Sequence, residues 1–434
     1  MKNVLCLLVD RLHIGYWGAY GNSEIETPTL DRLAVESFLA DRFYVDTSDP
    51  VRQCRSWWRG VHTLAPYEVP TIMAQLNAAG YRTVLMTDDP DVAYSFDAGD
   101  FSDVHLLPVS ENAEPCSEID ATHLCGLIAT IAATAESLVR SDTSYCLWCH
   151  LRGFDANWDF PLFLREKYQG EGDPEPYSGV TPPLFRLQAS DSGFQDASDV
   201  RQSVVSAYMG GMTMFDELLE MLIEPLREGE LGNETLFLLA GTRGILFGEH
   251  GIIGIPPTDT DLVEPLTSSL VQVPLAVRFP DGFGATIRSD ALLQPCDMTR
   301  LLYEWLDLPL PDTLQNADST DTKMLDLVRE EPQNLRDRIL IVAASDESAA
   351  SHTTSCLVTP SWSLLEFDAA TNSNAQLTLY VKPDDRWDVN NVADRCVEIV
   401  EQLVNVRADL LRRLVANDTT LSEPLPDILR ERFQ

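Results

Sequence analysis

Val4-Leu5-Cys6-Leu7-Leu8-Val9-Asp10 decides the fold. The apolar run is too short to span a membrane and has no polar alternation, which is the pattern of a strand buried on both faces. It stops at a carboxylate. A carboxylate where a parallel strand ends points into the crevice at the carboxyl edge of the sheet, the place where open α/β folds bind ligands. A turn containing Gly15, Gly18 and Gly21 follows. Thr27-Pro28 then reads as a helix start, a capping residue followed by proline in the first turn, and Leu30, Leu33, Ala34 and Phe38 fall at helical spacing. The chain therefore opens as strand, functional loop, helix.

The same alternation continues outward. A short strand is expected at 43–45, helices at 70–79 and 117–140, and strands at 81–86 and 145–150. An acidic, proline-rich stretch to about 199 reads as a long surface excursion. Helical spacing resumes at 200–226, followed by strands at 235–240 and 273–277 and a helix at 298–306. Strands separated by helices of this length imply βαβ units and a doubly wound, mostly parallel sheet with helices on both faces. Beyond Asp312 the pattern changes. The expected organisation is an α/β domain over 1–314, a linker over 315–337 and a small C-terminal α+β subdomain over 338–434, with strands at 339–343, 356–359 and 363–367 and a helix at 389–414.

Composition narrows the partners. The formal net charge is −37, spread along the chain, which argues against nucleic acid and anionic membranes as partners. No apolar run reaches the roughly 18 residues of a membrane span, and the N-terminal run lacks the flanks of a signal peptide. The nine cysteines are scattered without a disulfide framework, so a cytoplasmic location is expected. Cys146 and Cys149 have redox-motif spacing but lie in the apolar run 145–150, where ordinary buried thiols are expected.

Several segments together resemble the sulfatase family of the alkaline phosphatase superfamily. Val9-Asp10, the glycine turn to Gly21-Asn22, and the stretch from Thr27 to Ala34 match its opening in spacing. Gly80-Tyr81-Arg82-Thr83, Gly248-Glu249-His250-Gly251, Gln272-Val273-Pro274-Leu275 and Asp297-Met298-Thr299-Arg300-Leu301-Leu302 follow in family order, as do Leu379-Tyr380 and Asn390-Asn391. The resemblance implies an alkaline-phosphatase-like fold.

The chemistry it implies does not carry over residue by residue. The family's nucleophile is a cysteine oxidised to formylglycine in a Cys-x-Pro-Ser-Arg motif; counting back from Gly60 places Pro50 there, with Cys54 at the arginine position. Cys54 and Ser56 are the candidate displaced nucleophiles, and flanking arginines would lower a thiol pKa. For metal ligands the family implies acidic residues at the end of the first strand and Asp-His or Asp-Asn after a later one. This chain has Asp10-Arg11 and Thr242-Arg243. Calcium takes about six to eight oxygen ligands, and Asp10 beside arginines is a remnant of such a cage. Thr87-Asp88-Asp89-Pro90 replaces the family's Gly-Lys-x-His, Asp155 stands at a histidine position with His150 the nearest imidazole, and Ile255 stands at a lysine position.

Arg11 and Arg243, with Arg52, Arg55 and His250, are expected to line the pocket instead. Either a guanidinium replaces the cation and pairs with Asp10, or the cluster binds a sulfate- or phosphate-bearing small molecule without turnover. Asp88 and Asp89 either cap local structure or join Asp10 and His250 in a new metal site. The expected function is a pseudo-sulfatase with no cofactor. The alternative is a sulfuric or phosphoric ester hydrolase with a rearranged site that uses Cys54, Ser56 or His150 and calcium or another divalent cation. An acidic assembly subunit, meeting a protein partner through the excursion before residue 199, is a third possibility.

Overall fold

A computed structural model describes residues 2–66, 69–110, 112–141, 143–186, 194–228, 234–254, 265–315, 324–329, 335–343, 354–367, 376–416, 418 and 423–430. The chain divides into two compact units. The first comprises Met1–Leu39, Leu76–Ile255 and Pro274–Arg288, and the second Ala40–Gln75, Pro256–Val273 and Ser289–Gln434. Most of the expected linker, including 316–323 and 330–334, lies outside the described residues, as does Ile255; within it Met324–Val328 is helical.

The strands up to residue 289 are β1 (Asn3–Asp10), β2 (Phe38–Ala40), β3 (Arg82–Thr87), β4 (Asp103–Leu106), β5 (Tyr145–Leu151), β6 (Phe185–Arg186), β7 (Thr235–Arg243), β8 (Leu246–Phe247), β9 (Ile252–Gly254), β10 (Leu275–Arg278) and β11 (Arg288–Ser289). Eight of them form one sheet in the order β11-β2-β10-β7-β1-β5-β3-β4. β1 lies at its centre, parallel to β5 on one side and to β7 on the other. Every residue from Val4 to Asp10 is buried, as the unbroken apolar run requires. β3 is parallel to β4 and β5, whereas β10 runs antiparallel to β7. The architecture is the expected α/β, alkaline-phosphatase-like, mostly parallel sheet with helices.

The first helix starts at Pro28 as expected but departs in its end and in its capping bond. It runs Pro28–Val35 and stops before Phe38, which begins β2. Thr27 precedes it, but the Thr27 hydroxyl is turned away, accepting from the Gly18 N–H at 3.1 Å. The free N–H groups of Thr29 and Leu30 are instead capped by the Asp216 carboxylate at 3.1 and 2.7 Å. Asp216 lies on the long helix Phe194–Glu228, which starts earlier than the 200–226 expected. The surface excursion is only partly irregular. Leu162–Glu166 is a helix, and its Arg165 side chain is buried, donating to the carbonyls of Trp158, Phe160, Tyr177 and Gly179.

In the second unit the expected strand at 43–45 reduces to isolated bridges, Phe43 with Leu293 and Tyr44 with Gln272. The helix expected from Met298 begins at Pro295, because Gln294 and Asp297 form a capping box. Strands β12 (Ile339–Val342), β13 (Ser355–Val358), β14 (Trp362–Phe367) and β15 (Gln376–Val381) make an antiparallel meander. Leu357, Trp362, Leu364 and Leu379 pack there with Ile399 and Leu403 of the helix Val397–Ala416.

Candidate functional site

The parallel strands β7, β1, β5 and β3 are neighbours, so their carboxyl ends deliver Arg243, Asp10, His150 and Asp88 to one edge. The register along β1 and β7 is regular from Asn3–Thr235 to Val9–Gly241, then shifts so that Asp10 faces Arg243. Residue 242 is therefore the extra residue of a bulge. In a strand, moving one position turns a side chain to the opposite face, and the bulge turns Arg243 toward Asp10.

The contact is bidentate. Arg243 Nε lies 2.9 and 3.1 Å from the two Asp10 oxygens, and Nη2 lies 2.8 Å from Oδ2. The Thr242 hydroxyl donates to Oδ1 at 3.1 Å and the Arg11 N–H donates to the same oxygen at 2.9 Å. Burial pushes the Asp10 carboxyl up, but Arg243, with Arg11 and His150, outweighs it and holds the group below the usual carboxylate range.

Arg11 adopts a left-handed backbone, φ 57°, which costs a non-glycine residue on the order of 1 kcal/mol or more. Tyr208 secures it, donating its hydroxyl to the Arg11 carbonyl at 2.6 Å while accepting from the His13 N–H at 2.9 Å. Gly153, at φ 51°, lets the loop after β5 lie against the end of β1. A Cβ there would come within 2.5 Å of Val9 Cγ1 and 2.9 Å of the Asp10 carbonyl oxygen.

That loop presents Asp155. One of its oxygens pairs with Arg11; the other lies 3.6 Å from Arg243 Nη2 and 3.7 Å from Arg152 Nη2. Burial raises the Asp155 carboxyl, more than Arg11 and Arg243 lower it, and the Asp10 charge adds to the rise. Burial also lowers the Arg11 guanidinium, against the pull of Asp155. Among the described residues, Arg11 Nε and Nη1 are buried with no hydrogen-bond partner, as are both ring nitrogens of His150. Burial lowers the His150 imidazole against the opposing charges of Asp89, Asp10 and Asp88.

Asp88 and Asp89 serve local structure. Asp89 caps the helix Pro90–Ala93 through the Asp91 N–H, while Asp88 accepts from the Arg152 N–H at 2.8 Å and meets His123 Nε2 at 3.1 Å. His250 sits on an exposed turn, Glu249–Gly251. Among the described residues no group of three or more His, Cys, Asp or Glu is arranged to hold a metal ion. A hard divalent cation wants several free carboxylate oxygens; here the Asp10 oxygens face a guanidinium, a hydroxyl and an amide N–H. The donor set does not fit one.

Cys54, Ser56, Arg52 and Arg55 belong to the second unit, on the helix Pro50–Arg59. Asp49 caps it, accepting from the N–H groups of Val51 and Arg52, and Pro50 occupies the first turn. Cys54 is 2% exposed, and its thiol lies 3.4 Å from the Pro50 carbonyl oxygen. The Ser56 hydroxyl donates to Asp46, which also accepts from the Thr63 N–H at 2.7 Å; burial raises this carboxyl. Arg52 pairs with Asp49 at 3.6 Å, and Arg55 donates to the Ala65 carbonyl at 3.4 Å. Of the expected pocket arginines, Arg11 and Arg243 are thus gathered about Asp10. Sequence reasoning missed Arg152 and Tyr208; the place of Arg152 directly after β5, three residues before Asp155, was the available signal.

The sheet is that of a sulfatase-like fold. Residues 2–103 match the Sulfatase family model. The solved structures it resembles include the phosphonate monoester hydrolase of Agrobacterium radiobacter, at TM-score 0.70 and 15% identity over 96% of this chain and 95% of that one. A protein solved with its substrate D-glucosamine-2-N,6-O-disulfate aligns at TM-score 0.69 and 15% identity, over 96% and 99% of the two chains. A 2-O GAG sulfatase aligns at TM-score 0.67 and 15% identity, over 98% and 95%. No curated protein sequence matches. Among the described residues no helix is long and apolar enough to cross a membrane.

Proposed function

We propose that this sulfatase-like chain binds a sulfate- or phosphate-bearing small molecule at the carboxyl edge of its sheet without hydrolysing it. The observation that carries this is the bidentate Arg243–Asp10 pair, which puts a fixed cation on the carboxylate that a metal would need. Two further features support it. Pro50, in the first turn of its helix, has no nucleophilic atom, and Cys54 and Ser56 are buried in contacts of their own. The ligand class is supported by the unpartnered N–H groups of Arg11 and by the sulfated substrate of one structural relative. No cofactor is part of this function. Its place is a reducing cytoplasm, a reading that the scatter of nine cysteines along the sequence supports.

The test is metal content of the purified protein, together with hydrolysis of an aryl sulfate and an aryl phosphate with calcium, magnesium or manganese added. Neither stoichiometric metal nor turnover is expected. Turnover that disappears in Asp10→Ala would establish the hydrolase alternative instead.

A further inference from the structure

We infer that Asp155 is an internal occupant of an oxyanion seat formed by Arg11, Arg152 and Arg243, and that a tetrahedral oxyanion binds by displacing its carboxylate. The inference rests on the anion-binding function proposed above and specifies how that site is regulated. Three guanidinium groups approach a single carboxylate, Arg11 on one oxygen and Arg243 and Arg152 on the other. Only Arg11 is within hydrogen-bond distance; Arg243 and Arg152 stand off at 3.6 and 3.7 Å, so the carboxylate leaves most of their donors unmet. Arg243 is held by Asp10 at 2.8–3.1 Å and reaches Asp155 only at 3.6 Å, so its attachment to Asp155 is the weaker of the two.

Arg11 shows the deficit most clearly. Its Nη2 holds Asp155 while, among the described residues, Nε and Nη1 remain buried without an acceptor, an unfavourable state for a charged donor. A sulfate or phosphate group offers more oxygens in more directions than a carboxylate and meets donors that Asp155 leaves unmet. The Asp155 side chain is 21% exposed against 9% for Arg11 and 15% for Arg243, so it lies nearer solvent than these two, while Arg152, at 35%, stands at the solvent side of the seat. It is carried on the three-residue turn Gly153–Asp155, not on a strand or long helix. With Asp155 in place, three arginines face two carboxylates, Asp155 and Asp10; with its charge removed, three face one.

The experiment is calorimetric titration of wild type, Asp155→Asn and the double variant Asp155→Asn/Arg152→Met with inorganic sulfate and, separately, inorganic phosphate, with folding checked by melting. Asp155→Asn is expected to bind at least tenfold more tightly than wild type, and the added Arg152→Met to remove that gain. Asp155→Ser repeats the measurement if the asparagine variant does not fold. If wild type binds and neither folded variant binds more tightly, Asp155 is not an occupant, and the anion-binding function stands without it. If neither wild type nor a folded variant binds either anion, the seat does not exist and both conclusions fall. Tighter binding of only one anion by Asp155→Asn supports the inference and identifies the ligand group.

Discussion

Arg243→Met is the perturbation that bears most directly on the site. Methionine keeps much of the aliphatic volume and removes the guanidinium, leaving the Asp10 carboxylate, 3% exposed, with the Thr242 hydroxyl, the Arg11 N–H and the more distant Arg11 charge. Removing one partner of a buried pair typically costs about 3–5 kcal/mol, mostly because the remaining charge stays buried. For a unit of this size each kcal/mol lowers the melting temperature by about 2–4 °C, so a loss on the order of 10 °C is expected. Asp10→Asn should cost less, because Arg243 already has Asp155 within 3.6 Å. The double variant should recover much of the single Arg243→Met loss, a coupling of about 2–3 kcal/mol. The sign with pH is fixed as well. Asp10 has a folded pKa below its unfolded value, so the pair stabilises above the ordinary carboxylate range and loses that contribution as pH falls below about 4. The gap between wild type and Arg243→Met should narrow there. Melting of Arg243→Met within about 2 °C of wild type at neutral pH would refute the account of Asp10.

Other outcomes follow from single contacts. Gly153→Ala combines a positive φ with a Cβ 2.5 Å from Val9 Cγ1, and should lower stability by about 2–3 kcal/mol in urea unfolding. Arg165→Met should cost about 3–5 kcal/mol and open the stretch 158–184 to limited proteolysis, because carbonyls held by one buried guanidinium lose their donor. Asp216 is pushed up to about 6 by burial, against the N–H groups of Leu30 and Thr29. Its folded pKa lies above the unfolded one, so its contribution is fully present below about pH 4 and is lost as pH rises through 6; Asp216→Asn should flatten the fall in melting temperature across that interval.

The sheet was legible because its strands advertise themselves. The run from Val4 to Val9, like residues 145–150 and 235–240, has the continuous apolar character that burial on both faces demands. The meeting of Asp10 with Arg11 and Arg243 was legible too, once parallel strand ends were lined up. Edges and caps were not. Phe38 falls at helical spacing with Leu30, Leu33 and Ala34, yet it starts β2, since apolar spacing cannot mark where a helix ends. Thr27 has the right type for a cap, but Asp216 performs that task from a residue remote in sequence. The bulge at residue 242 leaves no trace in composition, although it sets Arg243 opposite Asp10. Asp155 was visible as a departure from the family's histidine; its three arginines came from three separate strand ends, which no local pattern encodes.

The central position of β1 has a consequence for how the protein is made. Its apolar residues leave the ribosome well before their partners, since Val4 pairs with Cys146 and Leu236, and the helix that follows is closed by Asp216. At typical synthesis rates those partners arrive about 10–50 s later. For that interval the nascent chain carries an unpaired strand of high β-propensity with no native neighbour. Until β5 and β7 have emerged, this segment is the part of the nascent chain most exposed to wrong pairing.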